Sequence, residues 1–126
     1  MALEDYGLLA LRVVLGIIFM YHGYPKIKNP EMMIQVFGNK KFPMILGLFE
    51  FVSGLLVLLG LYTQFAVIVF IIVMLGALYY KIEKWKISFF AQNATGWEFD
   101  LLILAASVAL LFLGAGMYSL DFTFLP

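Results

Sequence analysis

Apolar residues fill four stretches of the chain: Gly7–Tyr24, Pro43–Leu61, Phe65–Tyr80 and Trp97–Ala115. Each is about as long as the ~20 residues that a helix needs to cross a hydrocarbon core. Only Arg12, His22, Glu50 and, at the start of the last stretch, Glu98 and Asp100 interrupt them. The connections are short, which favours antiparallel neighbours. The pattern predicts an all-α membrane protein, an antiparallel bundle of four transmembrane helices at about 7–24, 43–61, 64–81 and 97–115.

The loops carry their own signals. Asn29-Pro30-Glu31 reads as N-cap, N1 proline and first-turn acid. Met32, Met33, Val36 and Phe37 share a face, and Gly38 can end the turn. A short amphipathic helix lying at the inner membrane surface is therefore expected in the first loop. Thr95-Gly96-Trp97-Glu98 has the form of a capping box, which would start the fourth helix.

Composition agrees with a lipid environment. Of 126 residues, 64% are hydrophobic, with a mean hydropathy of +1.01, against ~45–50% apolar in a soluble domain. Four spans and their loops use the length as one domain, 1–126. Eight Lys+Arg balance eight Asp+Glu, so no basic excess points to nucleic acid. With no cysteine, thiol redox chemistry and thiolate metal sites are excluded. Any redox role then needs a bound molecule or a partner subunit. The acidic start Met1-Ala2-Leu3-Glu4-Asp5 is unlike a signal peptide. The Asn93-Ala94-Thr95 triplet reads as a chance glycosylation sequon.

Charge sets orientation. Lys26, Lys28, Lys40 and Lys41 lie in or beside the first loop, and Lys81, Lys84 and Lys86 in the third; the Tyr62-Thr63-Gln64 turn and both termini have none. The positive-inside rule places loops 25–42 and 81–96 in the cytoplasm and both termini outside a plasma membrane.

Arg12, Gly16, Phe19, His22, Gly23 and Lys26 fall on one face of the first helix, and Glu50 shares a stripe with Gly47 and Gly54 on the second. An ionised group facing lipid costs ~2.5–3.5 kcal/mol even on a lenient scale, so both faces should point inward. By depth, His22 and Glu50 converge in the inner leaflet as the candidate catalytic pair, with Lys26 and Glu98 near them as candidate cofactor-binding groups. Arg12 meets the outer segment, with Asp121 as its counter-ion in a structural ion pair. Asp100 reads as a solvated first-turn acid. A His beside a carboxyl could relay protons or bond a quinone carbonyl; a static polar tie is the alternative. No ligand spacing supports a metal site.

In their order, these pieces resemble the DoxX family: Leu11-Arg12 and Gly16; Tyr21-His22-Gly23-Tyr24-Pro25-Lys26; Phe49-Glu50 and Gly54; Gly60-Leu61-Tyr62-Thr63-Gln64; Thr95-Gly96-Trp97-Glu98; and Gly114-Ala115-Gly116-Met117-Tyr118-Ser119-Leu120-Asp121. The stretch Tyr80–Lys86 is most like archaeal members. The resemblance implies a four-helix membrane protein associated with redox systems. The related DoxD/DoxA pair forms a thiosulfate:quinone oxidoreductase, and some bacterial DoxX members associate with a sulfurtransferase and superoxide dismutase. By position, Arg12, His22, Lys26, Glu50, Glu98 and Asp121 are the family-type polar residues. The leading expectation is a membrane subunit of a redox complex, acting with other subunits, with a quinone as its cofactor. A non-catalytic scaffold or assembly subunit is the alternative, and a small transporter a third.

Overall fold

The computed structural model describes residues 3–92 and 94–124; Met1, Ala2 and Asn93, which belong to the acidic start and the sequon, lie outside them. Among the described residues helix is the only regular secondary structure, and no strand occurs. The structure contains α1 (Glu4–Lys28), α2 (Ile34–Phe37), α3 (Lys41–Leu59), α4 (Thr63–Tyr79), α5 (Trp97–Leu113) and α6 (Leu120–Phe124). α1, α3 and α4 with its extension are long and apolar enough to cross a membrane. α5 is apolar but only 17 residues long, about 25 Å at ~1.5 Å per residue.

Two boundaries differ from the sequence expectation in ways that matter. A proline normally discourages helix in the residue before it, yet α1 runs through Pro25 to Lys28. That extra turn carries Lys26 along the same face as His22. At the same end of the bundle, α4 does not stop at Tyr79 but widens into a π turn, Tyr80–Lys84. The Trp85 amide there donates to the Tyr80 carbonyl at 2.7 Å. Such insertions shift the register of the residues after them, and this one holds Lys81.

α1 and α3 meet through glycine. A Cβ on Gly16 would lie 2.7 Å from the Gly54 carbonyl, and one on Gly23 would lie 2.5 Å from that of Gly47. The two glycines on each helix are seven residues apart, so an antiparallel pair brings them into register twice. Backbones approach closely where side chains are absent, which is how helices associate in lipid. Phe19 stacks on Phe70 with ring centroids 3.6 Å apart, joining α1 to α4. Val57, Val67, Ile103 and Leu110 complete the core. On α5 the buried stripe is Asp100, Ile103, Ser107 and Leu110; Ala105 is exposed.

Replacing Gly54 with Leu should force α1 off α3. Overpacking costs ~1–3 kcal/mol in ordinary cores and more where the obstacle is backbone. The unfolding midpoint in sodium dodecyl sulfate, starting from mild detergent, should fall clearly. An unchanged midpoint would mean that the helices do not meet there.

The first loop follows its signals in part. Pro30–Met33 forms a 3-10 turn, α2 continues it, and Gly38 ends it at φ +79°. The Asn29 side chain makes no cap. Phe37 packs on Phe42 and Tyr80, with centroids 4.8 and 5.8 Å apart. This contact brings the first loop beside the end of α4, so the lysines of both loops gather at one end.

Candidate functional site

The two ends of the molecule are built differently. At the end away from the lysines, Arg12 is 1% exposed. Its Nε donates to the Val57 carbonyl at 3.1 Å and its Nη2 to Leu58 at 3.2 Å. Nη1 donates to Ala115 at 2.9 Å and Tyr118 at 2.8 Å. The final carbonyls of α3 lack helical donors and carry the negative end of its dipole, and a guanidinium has five donors to offer.

The expected Arg12–Asp121 ion pair is therefore replaced by a carbonyl cage, although Asp121 stays within electrostatic reach. Asp121 serves α4 instead. Its carboxylate accepts from the Tyr62 amide at 2.6 Å and the Thr63 amide at 2.9 Å, supplying the cap that Tyr62 cannot. Asp5 accepts from the Met117 amide at 2.9 Å. The Tyr6 and Tyr118 rings pack together with centroids 5.3 Å apart, a second link between α1 and the C-terminal segment. This end is a structural knot tying residues 114–121 to α1, α3 and α4.

The lysine end holds the polar cluster. Glu50, 1% exposed, takes Lys26 as its partner, with Nζ and Oε1 2.5 Å apart. The expected direct His22–Glu50 contact is not a hydrogen bond among the described residues. The extended α1 gives Glu50 a lysine one turn beyond His22, and a long flexible ammonium reaches it first.

A second pair lies on the other helix pair. Lys81 Nζ is 2.7 Å from Asp100 Oδ2. Asp100 is 4% exposed, so its reading as a solvated acid is overturned. It had a legible signal: Asp100, Ile103, Ser107 and Leu110 recur at helical spacing on one face. The π turn that delivers Lys81 had none.

His22 lies within electrostatic reach of both pairs. Lys26, Glu50, Asp100 and Lys81 all act on it electrostatically, and its ring faces Phe99 with centroids 6.4 Å apart. Its side chain is exposed and carries no hydrogen bond among the described residues. Four groups with alternating charge thus neutralise one another in pairs, and the one imidazole is left available.

Glu98 also departs from expectation. The capping box does not form: α5 is capped from Gly96, with no side-chain hydrogen bond. The loop's own backbone does the work, with the Trp97 amide donating to Ser88 at 3.4 Å and the Glu98 amide to Phe89 at 3.2 Å. Gly96 has no room for a side chain against the Phe89 carbonyl, so the loop closes over it and Thr95 is left exposed. Glu98 is half-buried and its carboxylate has no partner among the described residues. No group of three or more metal-ligating His, Cys, Asp or Glu side chains occurs among them.

Fold and site together define a membrane protein of apolar helices, with a backbone-held arginine at one end and a histidine near two lysine–carboxylate pairs at the other. The chain belongs to the DoxX family, whose profile matches residues 7–82. It is 36% identical over 121 residues to the Bacillus subtilis (strain 168) protein named "Putative oxidoreductase CatD", covering 93% of this chain and 86% of that one. It is 33% identical over 121 residues to an uncharacterized protein of Haemophilus influenzae, covering 94% and 90%. No solved structure matches.

Proposed function

We propose that this chain is a four-span membrane subunit of a redox complex, and that its lysine end serves the head of a lipid-soluble quinone. In this reading α5, extended by residues 114–119, completes the fourth span. The lysine loops face the cytoplasm and both termini face outside. His22 is the group that bonds the ring oxygen and exchanges its proton, a task suited to an imidazole near neutral pH. Lys26–Glu50 and Lys81–Asp100 hold α1, α3, α4 and α5 around it and set the local potential. Electrons come from partner subunits, because no side chain here carries a redox centre.

The observation that carries this reading is the exposed, unbonded His22 within electrostatic reach of two ion pairs whose carboxylates are buried. Polar groups at membrane depth normally pair with protein or line a cavity. A relative whose name carries the word oxidoreductase agrees in kind.

The test is binding of a short-chain quinone analogue to purified protein in detergent. His22→Ala should weaken binding about tenfold, as loss of one ligand hydrogen bond does, with the unfolding midpoint retained. Equal binding by the variant, or none by either protein, would remove the proposal and leave the scaffold reading.

A further inference from the structure

Glu98 supplies an observation that the ion-pair cluster does not use. Phe89, Glu98, Phe99, Leu101, Leu102 and Ala105 line an open groove of about 540 Å³ on the exposed side of α5. Its walls are aromatic and aliphatic, and Glu98 is its one charged residue. Phe99, which lines this groove, also faces His22. Phe89 meets Trp97 edge-on at 4.7 Å, which stiffens the rim.

A free carboxylate in an apolar groove at the membrane edge has a definite preference. An ionised carboxylate only accepts hydrogen bonds. It recognises a hydroxyl and has nothing to offer a carbonyl oxygen. The flat walls suit a ring, since aromatic side chains favour offset or edge-on partners.

We infer that this groove is a binding site for the reduced, dihydroxy form of a lipid-soluble aromatic ring, with Glu98 accepting a ring hydroxyl and Phe89 and Phe99 flanking the ring. The inference rests on the proposed function and deepens it: the groove selects the oxidation state that the cluster receives. The oxidised ring, which has two acceptors and no donor, lacks that bond. Ala105 leaves the space that the ring fills, and a larger side chain there closes it. Binding alone is at issue, and no chemical step is assigned to the groove.

Trp97 reports on the site because it packs on the groove wall. The chain has two tryptophans, so a Trp85→Phe background isolates its emission. In that background, purified protein in detergent is titrated with a short-chain dihydroxybenzene and, separately, with its oxidised quinone, under anaerobic conditions. Quenching is calibrated against free tryptophan, and binding is confirmed by equilibrium dialysis. The reduced ring should bind about tenfold or more tighter, the margin for one hydrogen bond to a charged acceptor.

Glu98→Gln should shrink that preference, because an amide can donate to the oxidised ring as well. Ala105→Phe should abolish binding of the reduced ring while the unfolding midpoint is kept, and it leaves Trp97 the single tryptophan in the Trp85→Phe background. Equal affinity for both forms, or a preference unmoved by Glu98→Gln, would overturn the groove assignment and leave the His22 proposal standing. Binding of neither form would overturn both. Displacement of the ring by an ethanolamine-headgroup lipid but not by a choline one would assign the groove to a lipid amine and overturn the inference.

Discussion

Arg12→Met should give a chain that enters the membrane but does not hold together at the end away from the lysines. The substitution removes the donors to four carbonyls, from Val57, Leu58, Ala115 and Tyr118. The Val57 carbonyl keeps the Gly60 amide as a donor at 3.1 Å, but the other three lose theirs, and each buried acceptor left without a partner costs ~1–3 kcal/mol. The sum, ~3–9 kcal/mol, is a large share of a typical total stability of ~5–15 kcal/mol. Residues 114–121 would then come away from α1 and α3, and Asp121 would no longer be positioned to cap α4. The measurement is protease access to the C-terminal segment in detergent, together with the unfolding midpoint. Arg12→Lys should recover only part of the loss, because an ammonium is compact and cannot span four carbonyls as a guanidinium fork does. Full recovery by lysine would show that charge, rather than the cage, holds this end.

The second large effect belongs to the lysine end. Glu50→Leu should destabilise the fold by ~3–5 kcal/mol, because it leaves the Lys26 ammonium without its partner between α1 and α3. The Lys26 side chain is 16% exposed, so it can partly turn out toward the nearby membrane surface, which favours the lower part of that range. Adding Lys26→Met should restore most of the stability, since replacing a whole buried pair with apolar groups is often neutral. The double variant therefore separates stability from function. It should fold and yet bind the quinone analogue poorly if the pair tunes the environment of His22. Comparing single and double variants by unfolding midpoint and ligand affinity makes the distinction.

Much of this fold is legible from local physics. Apolar runs of membrane length place the long helices, and the lysine bias marks one end. The seven-residue glycine spacing on α1 and α3 points to their contact. Glu50 stands out because nothing local explains a carboxyl inside an apolar run, and it is nearly inaccessible.

The discrepancies have specific causes. Pro25 argues for a helix end, but packing against α3 carries α1 past it, and that places Lys26 rather than His22 on Glu50. Thr95 and Glu98 have capping-box spacing, yet Gly96 lets the loop backbone approach and cap α5 first. Charge alone matches Asp121 to Arg12, while the geometry gives arginine the carbonyls that a helix end leaves over and gives Asp121 the amides that a helix start leaves over. Pattern counts charges; it does not count orphaned backbone groups in three dimensions. The Lys81–Asp100 pair depends on a π turn, and register shifts of that kind leave no composition signal.

In the proposed function an available imidazole near two ion pairs receives the ligand. The chain contains a single histidine, so one imidazole signal in nitrogen-labelled protein reports on His22 alone. A saturating short-chain quinone analogue should move that signal and change its titration in wild-type protein. If the analogue binds and the His22 signal and its titration stay where they were, the ligand sits elsewhere and the account is wrong.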